Sequence, residues 1–396
     1  MENKVKTVAV FSGYYLPFLG GIERYTDKMT ADLVKRGYRV VIVTTNHDDL
    51  PIIDEDKGRK IYRLPTKNIV KQRYPIINKN REYNTLMKHV SDENIDFVIC
   101  NTRFQLTTLE GLSFAKKHRS PSIVLDHGSS HFSVNNRFLD FFGAIYEHLL
   151  TARVKHYRPD FYAVSKRSVE WLKHFNIEAK GVIYNSVSES LGSDFADTAY
   201  LEKSADDIFI TYAGRIIKEK GIELLLEAFS MSQYSENVYL QIAGDGPELA
   251  HLKEKYQSKQ INFLGKLNFE QTMSLMAQTD IFVYPSMYPE GLPTSILEAG
   301  LLSSAIIATD RGGTVEVIDS PELGIIMEEN TQSLHESLDL LVKDKALREK
   351  LQQNIAKRIK EHFTWEKTVE KLDYIIQKEN DFDEIFQKII KNVNLA

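Results

Sequence analysis

One rhythm constrains this chain more than any other feature. Short runs of consecutive apolar residues alternate with helical patterns through most of its length. In the first half the runs are Val5–Phe11, Arg39–Thr45, Asp96–Asn101, Ser122–Asp126, Asp160–Val164 and Gly181–Tyr184; helical patterns such as Ile22–Arg36, Leu106–His118 and Ser168–Phe175 lie between them. The runs stay apolar instead of alternating with polar residues, which is what burial on both faces of a parallel sheet requires. The rhythm pauses after Tyr184. SVSESLGSDFADTAYLEKSADD, ending at Asp207, is small, polar and acidic and reads as a linker. It then restarts through DIFITYAG, GIELLLEAFSMS, VYLQIAG, ELAHLKEKYQ, INFLG, QTMSLMAQ, DIFVYPS and AIIATD, and from about Asn330 only helical patterns remain. At 396 residues the chain exceeds what one core usually supports. The expectation is α/β: two doubly wound Rossmann-like domains over 1–190 and 191–365, with helices over 366–396 packing back on the first. In such sheets ligands bind beyond the carboxyl ends of the strands, so a cleft faced by both domains is the default site.

Bulk properties exclude several classes. The net charge is −5, so no nucleic acid partner is expected. Cys100 is the only cysteine, which excludes an internal disulfide and fits a reducing compartment. VAVF is too short for a signal core, and no apolar run is long enough to span a bilayer. The expected location is the cytoplasm, with attachment to the inner face of the cell membrane left open.

Several loops carry candidate chemistry, each with a plainer reading beside it. AGRIIKEKG places Arg215 and Lys220 around a turn that Gly214 and Gly221 tighten. Two cations there suit a diphosphate, and cations are disfavoured at a helix start, which argues against two idle surface residues. YPEGLPTSILEAG puts Glu290 in a loop and Glu298 about one turn into a helix beginning around Leu292–Thr294. The amides of Gly291, Leu292, Thr294 and Ser295 are donors for an anion, whereas Pro293 has none. The plainer reading is a turn acid and an ordinary helical acid. AGDGPE has half a dinucleotide fingerprint and reads as a tight turn; neither it nor GYYLPFLGG completes G-x-G-x-x-G, so a nicotinamide enzyme is disfavoured. Gly20 and Gly21 open a helix, either as a simple turn or where backbone must approach a ligand. His127 follows the strand Ser122–Asp126, as a structural or a ligand residue. Metal-ligand spacing is not evident. The D-x-D pairs Asp54/Asp56 and Asp381/Asp383 read as a polar turn and a terminal helix.

Taken together, GGIERY, DHGSSHF, YAVSKRSVEWL, VIYNSVS, AGRIIKEKG, IAGDGPE, FLGKL and YPEGLPTSILEAG resemble the retaining GT-B glycosyltransferases of the family-four type (glycosyl transferases group 1), over nearly the whole chain. Arg215 and Lys220 followed by Glu290 and Glu298, in that order and spacing, is the specific part. The resemblance implies a first domain that binds acceptor and a second that binds a nucleotide-diphosphate sugar, most often UDP. It implies that Arg215 and Lys220 hold the diphosphate and Glu298 the ribose. Glu290 would meet the donor sugar, and Gly291, Leu292 and Thr294 would line the sugar and phosphates. Gly265 and Lys266 would lie near the base, with His127 beside the transferred sugar and Gly20–Gly21 closing over the phosphates. Glu23 is a contact or only a helix cap. It further implies retention by a front-face path with no metal and no cofactor beyond the donor. Ser186, Leu292 and Gly300 depart from the family pattern; the first puts a role for Asn185 in doubt, and the other two alter the expected sugar pocket.

The acceptor is read from charge. Arg59, Lys60, Arg63, Lys67, Lys71, Arg73, Lys79, Arg81 and Lys88 enrich one stretch in positive charge, and residues 135–158 mix aromatic and basic residues. Together they suit an anionic membrane surface and a glycan or lipid-linked glycan acceptor in cell-envelope or capsular polysaccharide synthesis. A solvated basic face beside a core helix is the plainer reading. A catalytically silent GT-B partner subunit is the alternative function.

Overall fold

In the computed structural model, residues 5–18, 20–47, 50–67, 75–131, 137–288 and 291–378 are described. The chain divides into two units. One comprises Met1–Tyr184 and resumes at Thr368; the other is Asn185–Lys367.

The first unit holds β1 (Thr7–Phe11), β2 (Arg39–Asn46), β3 (Ile53–Asp56), β4 (Arg59–Lys67), β5 (Ile76–Ile77), β6 (Phe97–Asn101), β7 (Ser122–Asp126), β8 (Asp160–Ala163) and β9 (Gly181–Val182), with α1 (Gly21–Lys35), α2 (Arg81–Asp92), α3 (Leu106–His118), α4 (Arg137–Lys155) and α5 (Lys166–Lys173). The sheet order is β3-β4-β2-β1-β6-β7-β8-β9, with β5 against β4. β1 runs parallel to β2 (Thr7 opposite Arg39) and to β6 (Val8 opposite Phe97). Val8 to Phe11 are fully buried, as their unbroken apolar run demands.

The sequence reading misses the β3–β4 hairpin. Lys57 and Gly58 both have positive φ, 48° and 77°, and join antiparallel strands, the conformation that a two-residue hairpin favours. Its charged residues disguise it. Arg59 is fully buried, yet its guanidinium binds Asp27 at 2.6 Å and pairs with Asp56.

The second unit holds β10 (Ile208–Ala213), β11 (Val238–Ala243), β12 (Ile261–Gly265), β13 (Ile281–Tyr284), β14 (Ala305–Thr309) and β15 (Ile325–Met327), with α6 (Leu191–Phe195), α7 (Ile222–Ser230), α8 (Leu249–Lys255), α9 (Phe269–Ala277), α10 (Thr294–Leu301), α11 (Thr314–Val317), α12 (Thr331–Lys343) and α13 (Lys345–His362). The order β12-β11-β10-β13-β14-β15 is all parallel and doubly wound. The segment read as a linker contains α6, and Val187 bridges Thr364. A helix over residues 365–378 returns the chain to the first unit.

Local chemistry places the helix starts. Asn268 and Gln271 form a reciprocal capping box at α9, and the Ser165 hydroxyl accepts from the Ser168 amide at 3.0 Å at α5. Gly300, expected to shape the sugar pocket, instead faces α13: a Cβ there would lie 2.5 Å from Ile359 Cδ1, so helix packing sets its size.

Candidate functional site

In the second sheet the chain leaves β10 toward one side and β13 toward the other. That divergence opens a crevice at the carboxyl ends of these adjacent strands. The loop after β10 is built by backbone pairing. The Gly214 amide donates to Ala243 O at 3.0 Å, and the Tyr212 hydroxyl donates to Arg215 O at 2.8 Å. A 3-10 turn, Lys218–Lys220, follows and ends at Gly221 with φ 68°. Here glycine is required twice over. The left-handed conformation disfavours other residues, and a Cβ would lie 2.0 Å from Pro285 O.

The loop after β13 therefore seats directly on this turn, with the Met287 amide donating to Glu219 O at 2.9 Å. Lys220 Nζ lies 3.3 Å from the Tyr284 hydroxyl and over the rings of Tyr284 and Tyr288, 5.4 and 5.8 Å from their centroids. Arg215 is exposed and Lys220 half-buried. The AGDGPE turn buttresses this loop, since Ile216 N donates to Asp245 O at 2.8 Å. The two tyrosines escaped the sequence reading, although the end of β13 is where such a partner belongs.

Glu290 lies outside the described residues. Beyond it, two carbonyls are tied back: Gly291 O accepts from Gly313 N at 2.6 Å, and Leu292 O accepts from Asn185 Nδ2 at 3.2 Å. Asn185, whose role the sequence left in doubt, thus holds this loop. Pro293 is the N-cap of α10 and supplies no side-chain cap. The first amides of α10, beginning at Thr294, have no intrahelical acceptor and favour an anion. Thr294 is exposed, Leu292 buried, and Glu298 half-buried one turn along. Gly265 ends β12 and accepts from Gly244 N at 2.8 Å, with Lys266 exposed beside it. Arg215, Lys220, Gly265, Lys266 and Gly291–Thr294 thus lie along one sheet edge, and α10 carries Glu298.

In the first unit the corresponding divergence lies between β1 and β6. Gly20 is the extended N-cap of α1, with φ −128°. A Cβ on Gly21 would meet nothing within 4 Å, whereas one on Gly20 would lie 2.3 Å from Glu23 Oε2. Glu23 is buried and its carboxylate accepts from the amides of Gly20 and Glu23, so it caps the helix; burial raises its pKa.

His127 stands just past β7. Its Nε2 lies 3.3 Å from Asn101 Oδ1, Asn101 Nδ2 donates to the Thr26 hydroxyl at 2.7 Å, and that hydroxyl donates to Ile22 O at 2.8 Å. The Tyr25 ring meets the imidazole edge-on at 4.8 Å. Burial pushes the His127 pKa down to about 3, so the ring is neutral at neutral pH.

The stretch read as a basic face is largely neutralised. Arg63 binds Asp54 at 3.0 Å, Lys60 binds Glu93 at 2.6 Å and Lys79 binds Glu110 at 2.6 Å, besides the buried Arg59. Asp54 and Asp56 belong to β3 and its ion pairs, not to a polar turn. Lys71, Arg73, Asp381 and Asp383 lie outside the described residues. The aromatic helix, by contrast, presents an apolar stripe. Phe138, Phe141, Phe142, Ile145 and Leu149 share one face of α4 and are 70, 62, 51, 41 and 69% exposed, whereas Glu147, Leu150, Thr151 and Val154 on the opposite face are buried. No described helix is long and apolar enough to cross a membrane.

Comparison with known proteins supplies the rest. The family described as glycosyl transferases group 1 matches residues 196–358, and glycosyltransferase family 4 matches residues 19–191. An uncharacterized glycosyltransferase of Methanocaldococcus jannaschii is 27% identical over 95% of this chain and 99% of its own. The phosphatidylinositol N-acetylglucosaminyltransferase protein of Homo sapiens is 24% identical over 95% of this chain and 77% of its own. HepE of Anabaena, solved in complex with UDP, superposes with a TM-score of 0.68 at 17% identity, covering 94% of this chain and all of that one. Two doubly wound sheets, each matched by its own family over most of its length, make this chain a member of the GT-B glycosyltransferases of group 1, family-four type.

Proposed function

We propose that this glycosyltransferase moves a sugar from a nucleoside diphosphate donor, UDP first, to a hydroxyl of a glycan or lipid-linked glycan, with retained anomeric configuration and without a divalent metal. One observation carries the reading: the Lys220 turn and the uncapped start of α10 lie on adjoining loops at the switch point of the second sheet. The UDP held by HepE supports the choice of nucleotide.

Arg215 and Lys220 would hold the diphosphate, and the α10 amides would meet its oxygens. Fixed cations stabilise charge that develops on the leaving group, the work a metal does elsewhere. The bond from the anomeric carbon to the phosphate oxygen breaks. The acceptor oxygen bonds to that carbon on the same face, and the acceptor proton passes to the leaving phosphate. Glu298 would bind the ribose, Glu290 the donor sugar, and Gly265–Lys266 the base. Neutral His127 would hydrogen-bond the sugar without adding charge.

The α4 stripe supports a peripheral position on a membrane surface, at the inner face of the cell membrane, where a lipid-linked acceptor resides. A relative named for phosphatidylinositol favours the same acceptor class.

The test is UDP binding by calorimetry, followed by UDP release from a panel of UDP-sugars with wild type, Arg215→Ala and Lys220→Ala. Each substitution should cost about 10²-fold in rate. Turnover within about threefold of wild type in both variants would overturn the assignment, because removing a transition-state donor costs far more. Binding of UDP with no turnover of any donor would instead favour the silent partner subunit.

A further inference from the structure

Three histidines far apart in the chain meet in the first unit. His131 follows β7, His148 lies in α4 and His174 caps α5. One ring nitrogen of each lies within 4.8 Å of the others. His148 Nε2 and His174 Nε2 stand 3.2 Å apart. Two nitrogens on one tetrahedral zinc, each at about 2.0–2.1 Å, stand about 3.3 Å apart, so this pair already has the spacing of two ligands.

Behind the cluster lies a support of the kind metal sites use. Glu147 Oε2 is 3.3 Å from His131 Nδ1, which would orient the opposite nitrogen, Nε2, toward an ion. Glu147 also accepts from Arg103 Nη2 at 2.8 Å, and Arg103 Nη1 binds both oxygens of Asp126 at 3.0 and 2.9 Å. Arg103 and Asp126 are fully buried and Glu147 nearly so. One buried cation against two buried anions leaves these three side chains with a net charge of −1, which favours a positive ion at His131. His174 is held below the ordinary histidine range by its desolvation and by His131 and His148, so its ring is neutral and can ligate.

We propose that His131, His148 and His174 form a zinc site that clamps the segment after β7 to α4 and to the end of α5. Imidazole ligands suit zinc, and three of them leave a fourth position for water or an outside ligand. His127 lies four residues before His131, so the ion would steady the loop that carries it.

The test uses the full-length chain with no polyhistidine tag. Titration with zinc chloride by calorimetry should show one ion per chain at micromolar affinity or better. His148→Ala and His174→Ala should each weaken it at least about tenfold, the scale on which such sites respond to a lost partner. His148 and His174 are exposed, so both variants should keep the wild-type circular dichroism. Trp171 offers a second readout in the unsubstituted protein. Its ring stacks on His174 at 4.8 Å and 7°, so nickel or copper at the site should quench its fluorescence, and Trp171→Phe should remove that quenching. Absence of saturable zinc binding, or binding unchanged in the two histidine variants, overturns the proposal. UDP binding at the second unit is a separate measurement, so either assignment can fail alone.

Discussion

Replacing Gly221 by alanine tests how the proposed phosphate loop is built, and Gly265 supplies the control. Both lie in the second unit and both are left-handed, with φ 68° and 72°. An alanine at either position costs about 1–2 kcal/mol in backbone strain. It recovers about 0.4–1 kcal/mol from reduced freedom of the unfolded chain. The two sites differ in what the added methyl meets. At Gly265 nothing lies within 4 Å; at Gly221 the Pro285 carbonyl oxygen would be 2.0 Å away. That oxygen must retreat by more than 1 Å to reach a normal contact. Forced backbone shifts of this kind cost about 1–3 kcal/mol. Gly221→Ala should therefore be less stable than Gly265→Ala by that amount, a difference of about 2–12 °C in melting temperature for a unit of this size. Differential scanning calorimetry resolves it, comparing shifts within the transition that UDP protects. Because the retreat would separate the Lys220 turn from the Tyr284–Tyr288 segment, UDP affinity should fall as well. Equal melting temperatures for the two variants would refute the claim that these loops are locked together by a glycine contact.

Two further outcomes follow from the first unit. His127 stays neutral in the folded chain down to about pH 3, whereas its ordinary value is near 6.5. Between those values the unfolded chain takes up a proton that the folded one refuses, so this residue makes stability fall as pH drops from about 6.5, by up to ~1.4 kcal/mol per pH unit. Urea unfolding of wild type and His127→Gln at pH 5 and pH 7 checks it; the variant should lose less stability on acidification, and an equal loss would show that His127 is not the group responsible. Replacing Phe138, Phe142 and Leu149 by serine should abolish flotation with phosphatidylglycerol-containing liposomes while leaving UDP binding unchanged. Because nearby cations are already paired, wild-type flotation should survive moderate salt; complete loss on adding salt would show that charge, not the apolar stripe, holds the surface.

The strands bordering both candidate sites were readable because unbroken apolar runs report burial on two faces, a property local to each run. β12 over INFLG and α3 over Leu106–His118 agree with the sequence reading to the residue. The loops at the sheet edges were readable for a related reason: the end of a parallel strand is where the chain must turn, so Arg215, Lys220 and Gly291 mark themselves by position. The β3–β4 hairpin was not readable. Its cations look like a solvated face until Asp27, Asp54, Asp56 and Glu93 arrive from elsewhere to neutralise them.

By itself, then, the amino-acid order determined the α/β class, the doubly wound rhythm and the cationic loop of the second unit, because these depend on neighbours within a few positions. Tertiary structure alone decided that Tyr284 and Tyr288 flank Lys220, that Asn185 holds Leu292 from 107 positions away, and that His131, His148 and His174 gather around one point. Such partners are set by strand order and helix packing, which bring together residues whose separation along the chain carries no periodic trace.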